Sequence, residues 1–170
     1  MNKKILVVAS AVILTTIMLT IYFVQIGSTT NKITPNVTTG FNQTAMLERG
    51  DIAMGFNQSA IHHHFMATST GGEIMIMSLN TSDTKTINEI SSHVKDIQYE
   101  FSQGNFTKPF YIHDQVVLGT DVMIAKKNLI QYSIENIDGG SILILTTHDS
   151  ELLDAIQKFM NFQSSQHMSH

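Results

Sequence analysis

The sequence contains no cysteine, no tryptophan, only two prolines and a single arginine, Arg49. Without cysteine there is no disulfide, thiolate metal site, iron–sulfur cluster or cysteine nucleophile. One arginine in a chain of net charge −4 leaves no basic stripe to neutralise phosphates, so no nucleic acid is expected as a partner. What the chain holds instead is eight histidines and ten methionines, whose imidazole and thioether groups are borderline and soft metal ligands.

The one long hydrophobic run, Ile5 to Ile26, carries no charge. As a helix it is long enough to span the roughly 30 Å hydrocarbon core of a bilayer. It exceeds the apolar region of a cleaved signal peptide, and no small-residue cleavage pattern follows it. Lys3 and Lys4 precede it and no basic residue follows until Lys32, so the positive-inside rule leaves the N-terminus cytoplasmic and exports the rest. The expectation is a single-pass anchor in the cytoplasmic membrane over residues 1–26, a flexible tether over 27–53 and an extracytoplasmic domain over 54–170. The tether reading rests on a Ser, Thr, Asn and Gly-rich stretch with no sustained apolar period. Within it Gly40-Phe41-Asn42-Gln43-Thr44-Ala45 recurs as Gly55-Phe56-Asn57-Gln58-Ser59-Ala60, too short for a solenoid repeat and read as a local duplication. Asn36, Asn42, Asn57, Asn80 and Asn105 each open an N-x-[ST] sequon, which suits an exported chain.

About 115 residues remain after the tether, enough for one domain with one core. Ile61 to Thr68 and Glu73 to Leu79 are strand-like runs around a Gly-Gly turn. A helix follows, with Ile87, Ile90, Val94, Ile97 and Phe101 at three- and four-residue steps. The same order returns: Leu129 to Glu135, the turn Asp138-Gly139-Gly140, the strand Ser141 to Thr147, and a helix with Leu152, Ile156, Phe159, Met160 and Gln163 on one face. A gapless superposition lays Gly71-Gly72 on Gly139-Gly140 and Ile74 and Ile76 on Ile142 and Ile144. The predicted fold is therefore α+β, two ββα units forming a four-stranded antiparallel sheet with both helices on one face.

His167 continues the apolar face of the last helix one turn beyond Gln163, and His93 lies at the edge of the first helical stripe. In the strand, His62 and His64 point one way and His63 the other. Ile61, Phe65 and Ala67 favour the His63 side as core, whereas the superposition on Ile130, Tyr132 and Ile134 favours His64. His113 and Asp114 sit in a long connection that also carries Met123, and read as a ligand or acid/base pair in an ordered loop.

Together His63-His64-Phe65, His93, Ile112-His113 and Phe162-Gln163-Ser164-Ser165-Gln166-His167 resemble a little-characterised family of small prokaryotic proteins. Its pattern is a His-His-Phe strand, a His-bearing helix, an Ile-His segment and a Phe-Gln-x-x-x-His ending. Many of the similar proteins lack the hydrophobic N-terminal run, and some carry an aspartate carbamoyltransferase label. This chain does not support that label: such transferases bind carbamoyl phosphate through a Ser-x-Arg-Thr loop, and Arg49 stands outside any such motif.

The leading expectation is a non-enzymatic, His-rich extracytoplasmic domain that binds copper or zinc. His64, His113 and His167 are the principal ligands, His63 or His93 an additional ligand or a group supporting one, and Asp114, Met123 and Gln163 supporting residues. Copper is favoured, because imidazole suits both ions and Met123 would favour the reduced one. The alternative is a non-catalytic accessory or sensory subunit of a membrane complex, or a homo-oligomer, docking through the same domain. A third reading, placed below both, is a small metal-dependent hydrolase or redox enzyme with His113 and Asp114 near the ion.

Overall fold

The computed structural model of the chain describes residues 42–167. The run from Ile5 to Ile26 lies outside them, and among the described residues no helix is long and apolar enough to cross a membrane. In order come α1 (Gln43–Met54), β1 (Ile61–Thr68), β2 (Gly71–Ser78), α2 (Thr84–Ser102), α3 (Thr107–His113), α4 (Thr120–Ala125), β3 (Gln131–Ile137), β4 (Gly140–Thr146) and α5 (Ser150–Gln166).

Helix α1 corrects the expected tether, whose far end at residue 53 falls inside it. The folded unit starts at Asn42. Asn42 caps α1 by accepting the Ala45 N–H at 3.1 Å, and Gly55 closes it in the left-handed conformation. Met46, Gly50 and Met54 are buried, four residues apart, a seam too narrow to register as an amphipathic period. Asn57 starts a three-residue 3-10 turn by accepting from the Ser59 N–H, two residues ahead, at 2.8 Å. In both copies the Asn of the near-duplicate precedes a helical segment. Two other sequons have a related use: Asn80 accepts from the Ser82 N–H and Asn105 from the Thr107 N–H, each two residues ahead.

The two long helices start on carboxylates. Asp83 accepts from the Thr86 N–H and Asp149 from the Leu152 N–H, the usual way to satisfy an orphan amide at a helix N-terminus. Ile90, Val94, Ile97 and Phe101 of α2 and Leu152, Ile156, Phe159 and Met160 of α5 are buried together with Ile74, Ile76, Leu143 and Leu145 of the sheet. Each such side chain contributes about 1.5–3 kcal/mol by leaving water.

The sheet is antiparallel throughout, in the order β1-β2-β4-β3. The two hairpins are related as expected, but one residue out of step with the gapless superposition. Thr68 pairs with Gly71 across a Ser69-Thr70 turn, and Ile137 pairs with Gly140 across Asp138-Gly139. Gly71 therefore corresponds to Gly140 rather than Gly139, and Ile74 and Ile76 correspond to Leu143 and Leu145. Ile74 and Leu143 are direct partners at the centre of the sheet. Because side chains alternate along a strand, a slip of one residue exchanges the two faces. The same slip decides which histidines of β1 face the helices.

Candidate functional site

On β1 the residues turned toward the helices are Ile61, His63, Phe65 and Ala67; Ile61 belongs to the core and Phe65 and Ala67 pack against it. His62 and His64 are on the other face, beside Met77 and Met75 of β2. The expectation that His64 joins His113 and His167 is therefore corrected: His63 does. His63 stands 5.6 Å from His167 and His113 stands 5.2 Å from His167, measured between ring centroids. His167 terminates α5, and Phe65 lies 5.2 Å from its ring.

His113 is the last residue of α3, buried at 6% exposure. Its Nε2 donates to Gln163 Oε1 at 2.7 Å, as an amide oxygen can only accept. That bond fixes the tautomer and leaves Nδ1 as the bare lone pair. Nδ1 is buried without a hydrogen-bond partner. An unpaired buried polar atom costs about 1–3 kcal/mol, so the position calls for something to receive that lone pair. Arg49 braces the same helix end, donating from Nε to the Ile112 carbonyl at 2.8 Å. His93 of α2 is buried, with its ring set edge-on to Phe56 at 5.6 Å.

His63, His93, His113, Gln163 and His167 line one cavity of about 50 Å³, together with Met54 and Lys108. Its walls carry no carboxylate. Lys108 is ion-paired to Glu100 at 2.8 Å. Sequence reasoning does not find Met54, Lys108 or Arg49 as parts of this region. Met54 and Arg49 lie on α1, whose narrow helical seam gives no clear period; the isolated positive charge of Arg49 in an arginine-poor chain is the available signal.

Two expected supporting residues are elsewhere. Met123 is wholly buried in α4 as part of the apolar core and does not line the cavity. Asp114 is exposed, caps α3 in the left-handed conformation and leaves His113 Nδ1 unbonded. The connection that carries both is two short helices rather than an open loop.

Burial keeps this cluster neutral. His63 is pushed down to about 3, by desolvation first and then by His93. His167 is also lowered to about 3, by desolvation and then by His63 and His113. His93 is lowered to about 4 by desolvation and then by Lys108. His113 is lowered by desolvation, against the opposing effect of its bond to Gln163, with Arg49 lowering it further. In an unfolded chain these rings take up protons below about pH 6.5, whereas the folded ones resist. Stability is therefore full above that pH and declines as pH falls toward the folded values, by up to about 1.4 kcal/mol per unit for each histidine. Denaturant titration of the chain is expected to give a lower midpoint near pH 5 than near pH 7. Equal midpoints would mean that the rings are hydrated in the folded state.

Neutral imidazole is the form that ligates metal. Among the described residues no three ligating side chains already share a coordination point. Metal–nitrogen bonds of about 2.0–2.1 Å in tetrahedral geometry put ring centroids roughly 5 Å apart, close to the spacings of 5.2 and 5.6 Å found here. No family model, curated protein or solved structure matches the chain. Its function has to be sought in the chemistry of these residues.

Proposed function

We propose that the chain is a membrane-anchored extracytoplasmic protein whose domain binds one metal ion through His63, His113 and His167, without catalysis. The observation that carries the proposal is the buried, partnerless Nδ1 of His113, on a residue that lines one cavity with His63 and His167. Gln163, holding Nε2, is the outer partner that metal-ligating histidines ordinarily have. His93 completes the wall as an additional ligand or as packing. A cavity of about 50 Å³ takes an ion and a small exogenous ligand; organic ligands need roughly 300–1,000 Å³.

Copper is favoured over zinc, on grounds other than Met123. With only neutral donors and a lysine in the wall, a divalent ion would keep its full charge in an apolar site. The cost of burying charge rises steeply with its magnitude. Monovalent copper costs less, and the Met54 thioether on the same wall is a soft donor suited to it.

The test is elemental analysis and copper(I) competition on the full chain in detergent, purified without affinity histidines. One copper per chain is expected, with zinc displaced. A chain that holds neither ion under challenge overturns the proposal. The rival reading, an accessory subunit that docks on a partner, draws support from the other side of the sheet, where Met75, Met77, Ile142 and Ile144 are only partly buried.

A further inference from the structure

We propose that copper(I) reaches and leaves the buried site through a cavity walled by α1 and β1, where Met46 receives it on the way. The inference rests on the metal reading above and adds a second, transient site to it. This outer cavity measures about 380 Å³ and carries Met46, Ser59 and His62 beside Gln58, His63 and His167. The last three also line the inner cavity of about 50 Å³, so two of the three proposed ligands border both spaces. Ser59 and His62 are exposed, which brings the outer cavity to the surface, whereas Met46 is 1% exposed. Among the described residues none that lines it is charged. A hydrated divalent ion finds no counter-charge there, while a thioether suits the monovalent one.

Helix α1 sets the two spaces in line. Of its buried seam, Met46, Gly50 and Met54, Met46 lines the outer cavity and Met54 the inner one. Between them the Gln58 side chain lies across Gly50, where a β-carbon would collide with it, and donates from Nε2 to the Leu47 carbonyl at 2.8 Å. Eight residues of helix put the α-carbons of the two methionines about 12 Å apart, and each thioether serves its own cavity. An ion passing from one to the other is taken over by His63 and His167. A bare cation crossing an apolar wall carries a heavy desolvation cost, which exchange between neighbouring donors avoids. At each step one dative bond forms as another breaks, with no change of oxidation state and no proton released, because thioether and neutral imidazole are both uncharged ligands. A second outer space of about 490 Å³ also borders His63 and His167. It offers His64, Asn161 and Ser164 in place of a thioether, and Phe65 in its wall packs on the His167 ring at 5.2 Å between centroids.

The chain has no cysteine, so a single introduced one can plug either outer space. Full-length Ser59→Cys and Ser164→Cys chains, substituted at exposed positions, are labelled with a bulky maleimide before copper(I) is added, and release of the bound copper to saturating bathocuproine disulfonate is followed by its colour. Relative to the same variant capped with iodoacetamide, the label should slow release at least about tenfold in the Ser59→Cys chain and less than about twofold in the Ser164→Cys chain. Met46→Leu conserves volume, and should slow release about three- to tenfold with equilibrium affinity held within about twofold, because a station on the path changes both rates and not their ratio. One copper per chain in each variant shows that it is folded. Equal release from the two labelled chains, or slower release from the Ser164→Cys chain, overturns the proposal while leaving copper binding intact. So does an unchanged rate in Met46→Leu, or a loss of affinity matched by faster release, which would make Met46 a ligand of the resting site. A chain that holds no copper at all removes the metal reading itself, and this inference with it.

Discussion

Replacing His167 by alanine is expected to weaken copper binding by a factor of about 100 or more, while His64→Ala leaves it within about twofold. His167 is the common neighbour in the cluster, 5.6 Å from His63 and 5.2 Å from His113 by ring centroid. Its removal leaves two imidazoles that touch no common third ring, and the walls offer no carboxylate in compensation. His63→Ala should be nearly as severe. Gln163→Leu should be milder, about 10–100-fold, because it removes the group that orients His113 rather than a ligand. His64 is the decisive control, adjacent in sequence to His63 and on the other face of the sheet. Competition titration with a copper(I) chelator reads all four variants. If His64→Ala and His63→Ala weaken binding equally, metal is held by the run of three histidines and not by the cavity.

The His63 and His64 pair also marks how far the sequence can be read. The long helices are legible because Ile90, Val94, Ile97 and Phe101, and Leu152, Ile156 and Phe159, repeat at helical steps. Gln163 and His167 stand out for the same reason, as polar groups continuing an apolar face, and they lie beside His113 and His63. The facing of β1 is not legible by repetition. The two hairpin turns have the same length but Gly71 and Gly139 occupy different places in them, so matching glycine to glycine shifts every strand residue by one. The local pattern Ile61, Phe65 and Ala67 carries the right answer, which the apparent repeat masks. Helices α1, α3 and α4 escape a sequence reading because each is short and held by tertiary contact or burial: Arg49 of α1 bonds the Ile112 carbonyl of α3, Gln58 bonds the Leu47 carbonyl at 2.8 Å, and α4 buries Met123. Propensity alone does not hold a helix of so few turns in water. Proximity to His113 in sequence suggests a role for Met123, but the short helix that carries it turns its thioether into the core.

Gly119→Ala is expected to destabilise the domain by about 2–5 kcal/mol, against a total of about 5–15 kcal/mol for a typical domain. Gly119 precedes α4 with φ +83°, and a β-carbon there would stand 2.1 Å from the Ala155 carbonyl oxygen. The left-handed conformation costs an alanine about 1–2 kcal/mol by itself. The rest is steric, and it is expensive because the obstacle is backbone within α5, which cannot turn away as a side chain can. Gly55 separates the two contributions. It caps α1 at φ +79°, and nothing lies within 4 Å of the position an alanine methyl would take, so Gly55→Ala should cost only the conformational part, about 1 kcal/mol. Thermal melts of the full chain should therefore show a fall in Tm for Gly119→Ala about two- to five-fold larger than for Gly55→Ala. Because α5 carries Gln163 and is closed by His167, a chain that accommodates the methyl by shifting this helix should also lose copper affinity, which Gly55→Ala should leave unchanged. Equal melting losses for the two variants would mean that α5 does not pack closely on Gly119, and would undercut the placement of His167 that depends on it.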